Sequence, residues 1–195
     1  MAKKLVVFDF DGTLTVCDTL PYLLKGIGRY RGGYYWRLAL SVPWLVAYKL
    51  RLISAGKSKQ RVTSLFVKGM TMDDFDACCR KLVDEYKPKL VRPTVLEELQ
   101  RRMAAGDAVL VCTANYDHWV SLFLHPIEVP VLATVLEVCD GVLTGRFSTP
   151  NCNGEEKWVR LKPVVDEKGL PLVVYGDSRG DEVMMSHAQE KHWIN

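Results

Sequence analysis

The sequence contains no Cys-x-x-Cys pair, and no histidine spacing completes a zinc site around Cys17, Cys78, Cys79, Cys112, Cys139 and Cys152. Scattered cysteines in mostly apolar surroundings fit reduced, buried thiols in a cytoplasmic protein. Long apolar runs are also missing. The longest uncharged stretch, Leu38 to Tyr48, holds eleven residues with Pro43 inside, well short of the roughly 20 needed to span a bilayer. Behind Met-Ala-Lys-Lys only Leu5 to Phe8 precede Asp9, too few for the apolar region of a signal peptide. Repeats and low-complexity tracts are absent, which excludes solenoids and disordered tails.

Acidic residues are missing from one long region. Between Thr19 and Met72 there is no Asp or Glu, whereas 10 of the 26 Lys and Arg residues fall there, leaving 16 bases against 23 acids elsewhere. Tyr30, Tyr34, Tyr35, Trp36, Trp44 and Tyr48 are interleaved with Arg29, Arg31, Arg37, Lys49 and Arg51. Such a segment either packs its aromatics in a core of its own, with the bases solvated, or makes peripheral contact with an anionic membrane, here the inner face. No recognised nucleic-acid module accompanies the charge, so no nucleic-acid partner is expected.

The apolar residues that are present set a strand–helix rhythm. Leu5 to Phe8, Ala108 to Cys112 and Leu172 to Tyr175 read as strands buried on both faces. Helices are expected from near Pro21, over Tyr34 to Leu52, Ser58 to Lys68, Met72 to Tyr86, from Pro93 to Gly106, and to about Leu124. Asp140-Gly141 marks a hairpin between Val129–Val138 and Val142–Phe147. Asn153-Gly154-Glu155-Glu156 resembles a capping box ahead of a helix ending at Lys168-Gly169. This pattern predicts an α/β protein: a doubly wound, Rossmann-like parallel sheet core (residues 1–16 and 88–195) with an inserted all-helical cap (residues 17–87). Only fourteen residues follow Asp181, so the sheet is either one strand short or a minimal form.

In such sheets ligands sit beyond the carboxyl ends of the strands, where Asp9, Asp11, Thr113 and Asp177 are expected. At i and i+2 of an extended strand, Asp9 and Asp11 would project together. Asp9 and Asp177 on neighbouring strand ends offer oxygen ligands to a hard divalent cation such as Mg2+, with Asp181 close by. A carboxylate can attack phosphorus to form an aspartyl-phosphate, and a second carboxyl can protonate the leaving oxygen and then deprotonate water. Thr113 offers a hydroxyl and a backbone N–H to phosphate oxygens, and Lys157 a fixed positive charge. The four histidines are scattered and read as structural or surface residues.

Asp9-Phe10-Asp11-Gly12-Thr13 matches the DxDGT signature of the haloacid dehalogenase (HAD) superfamily. Thr113, Lys157 and Gly176-Asp177-Ser178-Arg179-Gly180-Asp181 fall in the order of its three later motifs, so the resemblance spans the chain. It implies Asp9 as nucleophile, Asp11 as general acid/base, and phosphate binding by Gly12, Thr13, Thr113, Ala114 and Lys157. It also implies Mg2+ held by Asp9, the backbone carbonyl of Asp11 and Asp177, with Asp181 supporting. The second acid, Asp11, argues against a dehalogenase. A helical insert after the first motif is similar to the phosphoserine phosphatase subgroup, whose substrate-binding acid and arginine would correspond to Asp18 and Arg61. The acid is one methylene shorter, and Arg29 to Leu52 is unlike a compact amino-acid pocket. The expected activity is Mg2+-dependent phosphomonoester hydrolysis on a small phosphorylated metabolite. The alternatives are a lipid-headgroup phosphatase similar to the phosphatidylglycerophosphatases, a phosphotransferase, and a catalytically silent binding protein.

Overall fold

β1 (Leu5–Phe8) is buried along its whole length, and the rest of its unit is assembled around it. In the computed structural model, which describes residues 3–195, β2 (Ala108–Tyr116) and β6 (Leu172–Gly176) flank β1 in parallel. Leu5 pairs with Ala108 on one side and Leu172 on the other, and Phe8 with Val111 and Tyr175. β3 (Val131–Thr134) and β7 (Glu190–Trp193) close the two edges, giving the order β3-β2-β1-β6-β7. The strand order reverses at β1 and β6, the switch point at which doubly wound sheets bind ligands.

Alternation along each strand sorts the two faces. Leu5 and Val7 pack with Leu110, Leu172, Val174 and Met184 on one face, under α7 (Glu155–Lys168) through Leu161. On the other face Phe8, Tyr175 and His192, paired across three strands, stack at ring-centroid distances of 4.4 and 4.3 Å. The Tyr175 hydroxyl donates to Glu98 Oε1 at 2.8 Å and accepts from Arg102 at 3.1 Å, tying α5 (Pro93–Ala104) to that face. Phe8 has no exposed surface; truncating such an aromatic costs about 3–5 kcal/mol.

The chain divides into two compact units. One holds residues 1–19, 87–134 and 151–195, and the other residues 20–86 and 135–150. The second contains α1 (Leu20–Tyr30), α2 (Tyr34–Lys49), α3 (Ala55–Val67) and most of α4 (Met72–Leu90). It also carries the antiparallel hairpin β4 (Leu136–Cys139) and β5 (Val142–Phe147). Within this unit the hairpin is fastened to the helices by backbone bonds, Gly69 N–H to Leu143 O and Met72 N–H to Gly141 O. No helix among the described residues is long and apolar enough to cross a membrane.

Several local expectations change. The insert has strands as well as helices, and residues 135–150 join it instead of the 88–195 core. The single strand expected over Val129–Val138 is two, β3 in the parallel sheet and β4 in the hairpin. A continuous run of β-formers conceals this change of partner, because each half finds its own ladder. At the edge of the sheet, the residues after Asp181 still supply a strand, β7, of which Glu190, Lys191 and Trp193 are exposed. The turn before α7 has Gly154 at φ 60° with no side-chain cap, so the expected capping box is absent there. A capping box forms instead between Ser178 and Asp181. Among the described residues no disulfide forms, and Cys139 is exposed while Cys78, Cys79, Cys112 and Cys152 are buried.

Candidate active site

β1 stops at Phe8, and the next residues turn over the carboxyl end of the sheet. Asp9 is extended (φ −72°, ψ 165°), and Gly12 takes the left-handed conformation (φ 78°). Glycine is required there twice over. Besides the positive φ, a Cβ on Gly12 would sit 2.1 Å from Asp177 Oδ2. Thr13, fully buried, places its hydroxyl 3.5 Å from Asp177 Oδ1, at the limit of a hydrogen bond. Arg92 steadies the same turn, donating to the Gly12 carbonyl at 3.2 Å.

Lys157 enters from the first turn of α7. Its ammonium lies 2.5 Å from Asp9 Oδ1 and 2.6 Å from Asp181 Oδ1, with all three side chains essentially buried. The other oxygen of Asp181 accepts from the backbone N–H of Asp177 at 3.2 Å and of Ser178 at 3.1 Å. Asp181 therefore orients the loop after β6 as well as the lysine.

The electrostatics of this cluster are short of positive charge. Burial alone would lower the lysine's pKa, but Asp9 and Asp181 outweigh it, so Lys157 is held firmly protonated. Burial pushes Asp9 up to about 8, with Asp181 adding to the rise and Lys157 opposing it. The two tendencies disagree about the pair at neutral pH. Neutralising Asp9 would leave a buried ammonium with half its counter-charge, which is costly. Asp177 is raised as well, by burial and by Asp181. Asp9, Asp177 and Asp181 bring oxygen atoms within 4.8 Å of one another. Three carboxylates against one ammonium, all offering hard oxygen donors, fit a divalent cation such as Mg2+.

Asp11 is held quite differently. Its Oδ1 accepts from the backbone N–H and the hydroxyl of Thr19, both at 2.8 Å, and its Oδ2 accepts from Asn115 Nδ2 at 2.8 Å. The Thr19 hydroxyl in turn accepts from Asn115 Nδ2 and from Trp119 Nε1, each at 2.9 Å. Thr19, Asn115 and Trp119 have no exposed surface. Burial raises the Asp11 pKa and the charge of Asp18 adds to it, against the hydrogen bonds from Thr19 and Asn115. The two aspartates thus do not share partners as a strand pair would. Asp11 (φ −70°, ψ 126°) sits in the turn beyond the strand, which frees it to face Thr19.

Thr113, 1% exposed, lies on β2, where its hydroxyl accepts from the Asn115 N–H at 3.1 Å; the Ala114 carbonyl accepts from Thr134 at 2.8 Å. Asp18 is exposed and belongs to the sheet unit. Arg61 belongs to the helical unit, its guanidinium 5.2 Å from the centroid of the Trp44 ring. Thr19, Arg92, Asn115 and Trp119 are the residues that motif reasoning missed. Asn115 alone left a trace, as a buriable amide two residues beyond Thr113 on an apolar strand.

A family model described as haloacid dehalogenase-like hydrolase matches residues 6–186. Protein CicA of Caulobacter vibrioides is 32% identical over 191 residues, covering 96% of this chain and 84% of CicA. A crystal structure of a protein of unknown function from Bordetella pertussis Tohama I superposes with a TM-score of 0.83 at 20% identity, covering 98% of this chain and 89% of that one. A phosphoserine phosphatase solved as a phospho-aspartyl intermediate analogue superposes with a TM-score of 0.68 at 21% identity, covering 98% and 86%. These two structures share the fold. With the family match running from β1 past Asp181 and a relative this similar over nearly its whole length, the chain belongs to the haloacid dehalogenase-like hydrolases.

Proposed function

We propose that the protein is a Mg2+-dependent phosphomonoester hydrolase that forms an aspartyl-phosphate on Asp9 and acts on a small phosphorylated metabolite. The observation that carries this reading is the buried Asp9–Lys157–Asp181 cluster beside Asp177. An ionised carboxylate, a fixed cation and spare oxygen ligands meet there at the switch point of the sheet. A relative of the same fold has been solved as a phospho-aspartyl intermediate analogue, which supports a carboxylate nucleophile.

Asp9, Asp177 and Asp181 are the side chains that would hold the metal, which when bound supplies charge neutralisation for the phosphoryl oxygens. Lys157 fixes the Asp9 carboxylate and offsets its charge. Asp9 attacks phosphorus as the bond to the leaving oxygen breaks, and Asp11 delivers its proton to that oxygen. Asp11 then takes a proton from water as the water oxygen attacks the acyl-phosphate phosphorus. Inorganic phosphate leaves, and Asp9 regains its carboxylate while Asp11 regains its proton. Thr13, Thr113 and the backbone around Gly12 and Ala114 line the phosphate position.

The test is phosphate release from an aryl phosphate by the purified protein with and without Mg2+. Activity should require the metal and fall below detection in Asp9→Asn. Turnover surviving that substitution would overturn the nucleophile. A screen of phosphorylated metabolites with added alcohol acceptors separates hydrolysis from phosphoryl transfer.

A further inference from the structure

α2 is built inside out. In an ordinary surface helix the apolar stripe faces the protein and the polar one faces water. Here the only buried residue of the 16 is Ser41, whose hydroxyl donates back to Arg37 O at 2.8 Å. On the same inward side the Trp44 carbonyl accepts from Ser58 of α3 at 3.1 Å, and Arg37 donates to the Leu65 carbonyl. Polar contacts thus share the seating of the helix with two aromatic ones, Tyr34 against Phe66 at a ring-centroid distance of 6.3 Å and Trp44 under the Arg61 guanidinium. Its apolar side chains lie outside: Tyr35 is 83% exposed and Trp36 70%, while Leu38, Val42, Leu45 and Val46 are each 42–50% exposed. Leu38, Val42 and Leu45 follow i, i+4, i+7 spacing and form one continuous stripe.

A stripe of this kind on a free surface marks an interaction site, and its electrostatic frame selects the occupant. α1, α2 and α3 contain no acidic residue, whereas Arg29 of α1, Lys49 and Arg51 at the end of α2, and Lys57 of α3 are exposed. A second copy of the chain docked face to face would set these bases against themselves. An anionic bilayer complements them, and it also accommodates the aromatic placement, Tyr35 and Trp36 at one end of the helix and Tyr48 at the other. The helix measures about 24 Å, below the roughly 30 Å of a hydrocarbon core, and ends at Lys49. It suits the interfacial plane.

We infer that α2 is a membrane-surface docking helix, its Tyr35-to-Val46 face inserted into the headgroup boundary of an anionic bilayer and the surrounding bases held to lipid phosphates. The inference stands on exposure and charge in the helical unit and does not depend on the reaction proposed for the sheet unit.

The test is flotation of the full-length protein with phosphatidylcholine vesicles, with and without phosphatidylglycerol, at low and high salt. The protein should float with the phosphatidylglycerol vesicles at low salt, and raising salt should weaken binding. The triple variant Leu38→Glu/Val42→Glu/Leu45→Glu should stay at the bottom of the gradient. Lys49→Glu/Arg51→Glu should weaken binding by about five-fold or more per base. Both variants alter exposed side chains and should keep the wild-type melting temperature and phosphate release from a soluble aryl phosphate. Absence of flotation at low salt, or binding unchanged in the triple variant, would overturn the inference. So would a concentration-dependent dimer in sedimentation that the triple variant dissolves.

Discussion

Asp9 and Asp11 are two residues apart, both largely buried, and inhabit different chemical worlds. Asp9 faces an ammonium at 2.5 Å and a second carboxylate beyond it. Asp11 faces only neutral donors, a hydroxyl, a backbone N–H and an amide, with the nearest charge influence coming from another acid, Asp18. Burial pushes both carboxyls toward protonation, but only Asp9 has a fixed cation opposing it. In the proposed reaction, one short turn thereby supplies both the attacking anion and the proton carrier. What differs is the partner each side chain meets, not the residue type.

Substituting each partner set tests that division. Asp11→Asn keeps the shape and its contacts with Thr19 and Asn115 but cannot carry the proton. Turnover of alkyl phosphates should drop roughly 10²–10⁴-fold, with a much smaller loss for aryl phosphates whose leaving group departs unprotonated. Equal losses on both substrate types would show that Asp11 is not the proton donor. Lys157→Met removes the cation between Asp9 and Asp181, and urea denaturation without divalent metal should register a loss of about 3–5 kcal/mol. A stability near wild type would mean the two carboxylates do not rely on the lysine.

Thr19→Val withdraws one donor from Asp11 and leaves the buried Trp119 and Asn115 donors without their acceptor. We expect about 1–3 kcal/mol of destabilisation and a fall in kcat with KM unchanged; a KM change alone would assign Thr19 to substrate binding. The smallest effect belongs to a third acid, outside the site. Glu98 is pulled down to about 2, chiefly by Arg101, with Arg102 and Tyr175 adding to it. Because its folded value lies below the unfolded one, its contribution is present above about pH 4.5 and is lost as the pH falls toward 2. Water screens the exposed Arg101 side, so Glu98→Gln should remove only about 1 kcal/mol. This difference should be seen near neutral pH and vanish in acid melts.

The framework of the site was legible because buried parallel strands read as short apolar runs, and the loops of the candidate site follow them directly. Gly12 was legible only as part of the DxDGT signature, and its left-handed turn against Asp177 emerged with the fold. What stayed hidden depended on partners far off in sequence. Thr19, Asn115 and Trp119 are unremarkable residues of mixed segments, and only folding brings them onto Asp11. The division of 129–138 between two ladders, and the fifth strand at Glu190–Trp193, follow from which neighbour is available, not from local composition. The aromatic, acid-free segment was visible as a composition, but composition is silent about which way a helix turns its apolar side. Serine and arginine backbone contacts, with Tyr34 and Trp44, hold α2 in place and leave most of its apolar residues outside.

The central position of β1 also bears on how the protein is made. β1 leaves the ribosome well before either of its sheet neighbours, β2 about a hundred residues on and β6 later still. Through most of synthesis Leu-Val-Val-Phe has both edges open, and such a strand invites pairing with other chains. Lys3 and Lys4 precede it directly, and charges beside an apolar strand discourage that pairing. The turn after it waits as long: Asp9 meets its lysine across 148 residues. A nascent chain halted before Asp181 should therefore be inactive however much of its sheet has formed, so onset of activity during translation would time the closing of the sheet.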